Sequence, residues 1–215
     1  MTNERTMPLL DTRDADVAHA VERVAGEFKG VFNRETVERV DVDSFDRLSA
    51  TYKIQTYLPL LAERFTRERL QAQARMESSV PTVPTVLFLC THNAGRSQMA
   101  VGWMRQFAGP GALVYSGGSE PASEVNPGAI EAMAEVGINI ADEFPKPWTD
   151  EVIESVDVVV TMGCGDACPV FPGVRYVDWE LDDPAGQGLG KVREIRDQIG
   201  ARVRALLEEL GVSPS

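Results

Sequence analysis

No apolar run in this 215-residue chain approaches the ~20 residues needed to cross a bilayer, so no membrane span is expected. The first residues, Met1-Thr2-Asn3-Glu4-Arg5-Thr6, lack a basic start followed by an apolar core. No secretory signal is read there, and a cytoplasmic protein is expected. Histidine is nearly missing: His19 and His92 are the only two, which leaves a Cys/His zinc site poorly supplied. Neither a metal nor another cofactor is expected. The three cysteines, Cys90, Cys164 and Cys168, are too few and too uneven for a secreted disulfide framework, which leaves reactive, metal-binding or buried thiols. Positive charge is in deficit as well, with a formal net charge of −12, and this argues against a nucleic-acid or membrane-surface partner. The deficit is uneven: residues 1–80 carry a net −2 and residues 81–215 a net −10. An acidic domain that binds an anion must do so with local, aimed donors. Hydrophobic residues make up 43% of the chain, enough for an ordinary globular core.

The pattern of what is present divides the chain in two. From Asp11 or Thr12, a good N-cap, Val17, Val21, Val24 and Phe28 recur at helical spacing and stop near Gly30. Asn33 can cap a second helix with Val37, Val40, Phe45 and Leu48 on its apolar face. A third begins near Thr56, tolerates Pro59 in its first turn and carries Leu61, Phe65 and Leu70 inward. Residues 1–80 thus read as a three-helix bundle without visible chemistry, small enough to gain from burying a spare face against a partner chain. His19 reads as a solvated helix residue. The segment Glu77-Ser78-Ser79-Val80-Pro81-Thr82-Val83-Pro84 is polar, proline-punctuated and without period: a linker.

Residues 81–215 alternate strands and helices. Strands are expected at 85–89, 112–116, 157–161 and 174–177. Helices are expected at 97–107, from Asn126-Pro127 to Gly137, after Thr149, and at 191–210. That order implies an α/β domain with a four-stranded parallel sheet flanked by helices. Ligands of such sheets bind at the carboxyl ends of the strands. Cys90, Ser116, Cys164 and the stretch Trp179–Pro184 all follow a strand and are expected on one rim.

The stretch that organises this domain is Thr85-Val86-Leu87-Phe88-Leu89-Cys90-Thr91-His92-Asn93-Ala94-Gly95-Arg96-Ser97-Gln98-Met99-Ala100. A buried strand empties into a loop that begins with a cysteine and ends at a helix N-terminus, where backbone N–H groups converge on an anion and favour a thiolate. Cys90 can attack, the Arg96 guanidinium can grip two oxygens, Ser97 can donate to the sulfur, and the loop Thr91, His92, Asn93, Ala94, Gly95, Arg96 supplies amides. The target is a tetrahedral, phosphate-like oxyanion.

Cys90–Ala100 resembles the signature loop of low-molecular-weight protein tyrosine phosphatases and, more closely, of the related arsenate reductases; Gln98-Met99-Ala100 after Arg96-Ser97 is similar to the reductase branch. The resemblance continues through Ser116-Gly117-Gly118, Asn126–Ile130, Val159–Asp166 and Asp178–Ala185, covering about residues 84–210. It implies a phosphatase-like fold and Asp183, ahead of Pro184, as the general acid, with Asp182 a rival from sequence alone. It also implies a route. Cys90 attacks arsenate, Cys164 attacks Cys90 as arsenite leaves, and Cys168 resolves Cys164, leaving a disulfide for thioredoxin or another dithiol. Phosphate and sulfate are expected analogues. The helical extension is similar to those on some actinobacterial arsenate reductases and reads as a dimerisation or docking module, with a homodimer through the bundle as one outcome.

Several positions depart from the family pattern. Three residues separate Cys164 from Cys168, fewer than in thioredoxin-coupled relatives generally. His92 and Gly95 replace the usual Gly and Ser or Cys of the loop, and Ala185 stands where phosphatases carry a tyrosine. Val101 occupies the place of a potassium-site glutamate, so that ion is not expected. The readings kept open are a tyrosine phosphatase, a mycothiol-coupled arsenate reductase that needs only Cys90, and a non-catalytic oxyanion binder.

Overall fold

The structure is a computed structural model that describes residues 9–52, 56–78, 83–163 and 170–213, with residues 9–16 described by backbone alone. Cys164 and Cys168 lie outside the described residues. The chain divides into two compact units, Met1–Ala74 and Arg75–Ser215.

Three helices dominate the first unit: α1 (Leu9–Glu27), α2 (Arg34–Ser49) and α3 (Leu58–Glu77). Asn33 caps α2 as its sequence position implies, its side-chain oxygen accepting from the Thr36 amide at 2.8 Å. The expected cap of α1 is corrected, because Asp11 and Thr12 lie inside a helix that already begins at Leu9. Pro8, just upstream in sequence, is the residue type tolerated at a helix start, and nothing between it and Asp11 breaks a helix. Val21, Val24, Val37, Val40 and Leu70 form the apolar core. Phe45 and Leu61, expected inward, are only half-buried. Polar side chains take part of the interior instead: Asp41, Ser44, Glu63, Thr66 and Arg69 are all buried.

The second unit is a four-stranded parallel sheet in the order β2-β1-β3-β4, built from β1 (Thr85–Cys90), β2 (Leu113–Gly118), β3 (Val158–Met162) and β4 (Arg175–Asp178). Every residue of β1 is buried, as expected of a central parallel strand. Helices α4 (Arg96–Ala108), α5 (Pro127–Ala134), α6 (Asp150–Ser155) and α7 (Leu189–Glu209) surround it. One face packs Val86, Phe88 and Val160 against Met99 and Met104 of α4 and Ile195, Ile199 and Val203 of α7. Each such side chain is worth roughly 1.5–3 kcal/mol of burial. Helix α5 starts at the Asn126 cap and closes at Gly137 (φ 78°), where Ile138 and Gly137 donate back to the Met133 and Ala134 carbonyls.

This topology positions the site. Strand β1 has β2 on one side and β3 on the other, so the chain reverses direction across the sheet at β1, and a crevice opens at the carboxyl ends. Cys90 is the last residue of β1, in register with Gly118 and Met162. Ser116 corrects the rim expectation: it lies two residues below the end of β2, buried, and its hydroxyl has no partner among the described residues.

Candidate active site

Cys90 is 2% exposed and opens the loop 91–95, which runs straight into α4. The loop's carbonyls are all engaged behind it. Thr91 O accepts from the Glu120 amide (2.8 Å), His92 O from Ala122 (2.9 Å), Ala94 O from Asn126 (2.9 Å) and Asn93 O from the Gln98 side chain (2.8 Å). In a trans peptide the carbonyl and the next N–H point in opposite directions. Carbonyls engaged on the far side, by the 120–126 wall or by Gln98, therefore turn the amides of His92, Asn93, Ala94 and Gly95 the other way, and the start of α4 adds its own free amides.

Asn93 holds this geometry. It is fully buried and adopts φ 47°, a left-handed conformation that Asn tolerates better than most residues. Its Oδ1 accepts from the Lys146 amide at 2.9 Å, and its Nδ2 donates to Ser97 Oγ at 2.8 Å. Ser97 Oγ lies 3.0 Å from Cys90 Sγ. Because Ser97 already accepts from Asn93, its own hydrogen is available to the sulfur. Sequence reading placed Asn93 only among the loop amides. The signal for more was a lone Asn in a loop of small residues. Gln98, read from the sequence only as part of a resemblance, is buried in α4, and Lys146, which the sequence reading does not single out, has a fully buried side chain with its ammonium 4.4 Å from the Phe144 ring centroid.

Arg96, 7% exposed, donates from Nη2 to Asp183 Oδ2 at 2.8 Å and from Nη1 to the Leu181 carbonyl at 3.3 Å. Asp183, Pro184 and Ala185 line one cavity of about 240 Å³ with Cys90, His92 and Arg96. Asp182 faces elsewhere: its carboxylate is 2.8 Å from Lys191 Nζ, and that hydrogen bond holds it below the usual carboxylate range. Of the two adjacent aspartates, only Asp183 lines the cavity with Cys90. Pro184 also approaches the loop closely; a Cβ placed on Gly95 would stand 2.6 Å from Pro184 Cγ. Thr91 Oγ1 donates to the Gly163 carbonyl at 3.0 Å, so the residue preceding Cys164 is bonded to the residue following Cys90. Among the described residues, no group of His, Cys, Asp and Glu could hold a metal ion.

The arrangement brings Cys90, Arg96, Ser97 and Asp183 together, with the loop from Thr91 to Gly95 around them. His92 is exposed, its Nδ1 against the Glu120 carbonyl at 3.0 Å. Chemically the arrangement gathers a buried thiol, a ring of backbone amides, a guanidinium and a carboxyl group around one cavity.

Residues 85–213 match the family model described as low molecular weight phosphotyrosine protein phosphatase, and residues 17–74 match the protein-tyrosine-phosphatase-like N-terminal domain. Arsenate reductase 1 of Bacillus cereus is 44% identical over 128 residues, 58% of this chain and 94% of the relative. Arsenate reductase 1 of Staphylococcus haemolyticus is 42% identical over 130 residues, 59% and 96% of the two chains. Among solved structures, a thioredoxin-dependent arsenate reductase of Corynebacterium glutamicum superposes with a TM-score of 0.81 at 45% identity, over 91% of this chain and 96% of its own.

Proposed function

Since the chain belongs to the low molecular weight phosphotyrosine protein phosphatase family and sits among its arsenate reductases, we propose that it reduces arsenate to arsenite with electrons from an external dithiol. Cys90 attacks arsenic while Arg96 and the amides of Thr91–Arg96 hold the oxygens. Asp183 protonates the oxygen that leaves as water, and Ser97 steadies the sulfur before attack. Cys164 then attacks the Cys90 sulfur. The sulfur–arsenic bonding pair passes to arsenic, which departs as arsenite, and a Cys90–Cys164 disulfide forms. Cys168 attacks Cys164, freeing Cys90 and leaving a Cys164–Cys168 disulfide that a thioredoxin-type dithiol reduces. Two thiols lose the two electrons that arsenic gains.

The observation that carries the reading is the chain of contacts from Asn93 through Ser97 to the Cys90 sulfur, at 2.8 and 3.0 Å, with Arg96 and Asp183 beside it. It supports attack on a tetrahedral oxyanion, and the likeness to the thioredoxin-dependent arsenate reductase of Corynebacterium glutamicum favours arsenate and thioredoxin over other substrates and donors. The test is arsenite production with thioredoxin and mycothiol systems supplied separately. Turnover is expected with the first. Cys90→Ser is expected to abolish it, and Cys168→Ser to stop it after one equivalent. Full thioredoxin-driven turnover by Cys168→Ser sinks the relay. The bundle of residues 1–80 is proposed as a homodimer contact, tested by sedimentation of the full chain against one truncated before residue 81.

A further inference from the structure

We propose that His92 is a positioning residue that clamps the oxyanion-binding loop to the 120–126 wall of the cavity and so sets its affinity for tetrahedral oxyanions. The proposal rests on the reading of loop 91–96 as the oxyanion cradle. Three backbone bonds strap the wall to the loop, from Glu120, Ala122 and Asn126 to the carbonyls of Thr91, His92 and Ala94. The wall itself belongs to no helix or strand, and Pro121 within it has no N–H to contribute. What holds its first residue is double. The Glu120 amide donates to Thr91 O at 2.8 Å, and the Glu120 carbonyl meets His92 Nδ1 at 3.0 Å. A carbonyl only accepts, so Nδ1 carries the hydrogen, which fixes the tautomer. The imidazole closes a ring through Thr91, His92 and Glu120, in which the loop's first two peptides cannot rotate without breaking a bond to the wall. Those peptides present the first inward amide. Ala122, Glu124, Val125 and Asn126 of the same wall line the cavity together with His92 and Cys90. A histidine here therefore couples the cradle to the 120–126 wall of the same cavity, a coupling that a glycine at this position could not make.

The test separates the hydrogen bond from the ring. His92→Ala removes the donor, whereas His92→Asn restores one, since Asn Nδ2 takes the place of imidazole Nδ1. Sulfate binding to the reduced full-length chain is measured by calorimetry, alongside KM and kcat for arsenate. His92→Ala is expected to weaken sulfate and raise KM about threefold to tenfold, the span of one such bond, with kcat within about twofold of wild type. His92→Asn is expected to stay within about twofold of wild type in both. Amide exchange at Glu120 and Ala122 should accelerate in His92→Ala only, which gives a readout independent of turnover. Wild-type sulfate affinity in His92→Ala overturns the clamp, and so does a His92→Asn protein as weak as His92→Ala. A wild-type chain that binds sulfate but reduces no arsenate removes the proposed reaction and leaves the clamp standing. One that binds no oxyanion overturns the cradle and the clamp together.

Discussion

At the level of single side chains, the site separates two neighbours that chemistry alone cannot. Asp182 and Asp183 are identical groups one peptide apart, yet Lys191 holds the first as a carboxylate away from Cys90, while the second lines the cavity beside Arg96. Loss of a positioned general acid costs about 10²–10⁴-fold. Asp183→Asn should therefore lower kcat for arsenate by at least about a hundredfold, while Asp182→Asn should change it by less than about fivefold, the reach of an exposed ion pair. Steady-state arsenite release by the two variants decides the assignment, and equal losses would return Asp182 to contention. Ser97→Ala makes a subtler comparison. It removes the hydrogen aimed at the Cys90 sulfur and also strands Asn93 Nδ2, which is buried. Alkylation of Cys90 by iodoacetamide at neutral pH should slow by up to about tenfold, the reach of one hydrogen bond.

At the level of elements, the departures from the family pattern acquire physical reasons. Gly95 stands where relatives usually have Ser or Cys, and the structure accounts for it, because Pro184 Cγ lies 2.6 Å from where a Cβ would be. Gly95→Ser must push back the loop that carries Asp183. Its kcat should fall about tenfold or more while far-UV circular dichroism stays native, and sulfate affinity should change less than kcat. A loss confined to sulfate affinity would mean that the cradle moved rather than the acid loop. The sheet, its order of helices and the residues gathered at Cys90 were legible because parallel strands leave long apolar runs, and because a cysteine, an arginine and a serine at that spacing have one obvious joint use. Less legible were features set by three-dimensional neighbours. The engagement of His92 with Glu120 and of Asn93 with Lys146 joins residues 28 and 53 positions apart, which no periodicity announces. The start of α1 was misplaced for a simpler reason: Asp11 and Thr12 are good caps, yet a helix that can begin earlier gains hydrogen bonds by doing so.

Over the whole molecule, acidity has different consequences in the two units. The second is proposed to bind its anion with the amides of loop 91–96. The first buries charge in its helical interior, and its stability should carry a distinct pH signature. Burial pushes the Asp41 carboxyl up to about 6, against a stabilising hydrogen bond from Thr66. A folded value above the unfolded one, about 3.9, means the folded unit prefers the protonated acid. Its contribution is fully present below pH ~4 and is lost as pH rises through ~6. Glu63 and Glu27 behave oppositely. Hydrogen bonds from Arg23 and Arg67 lower Glu63, and Arg67 lowers Glu27, so their contributions are present above the unfolded value of about 4.3 and fade as pH falls. The first unit should therefore be most stable near pH 5. Asn in place of Asp41 still accepts from Thr66 but never ionises, so Asp41→Asn should raise the stability of this unit at pH 7.5 by about 1–3 kcal/mol and change it little at pH 4. The measurement can be made on the intact chain because all three tryptophans, Trp103, Trp148 and Trp179, belong to the second unit. Tryptophan fluorescence then follows that unit alone, while amide exchange in α2 and α3 follows the first. Slower exchange in Asp41→Asn at pH 7.5, corrected for intrinsic rates and without a shift in the fluorescence transition, is the expected result. Equal protection in the two proteins at both pH values would show that Asp41 is ionised at little cost and that the polar interior of the bundle is wetter than its burial implies.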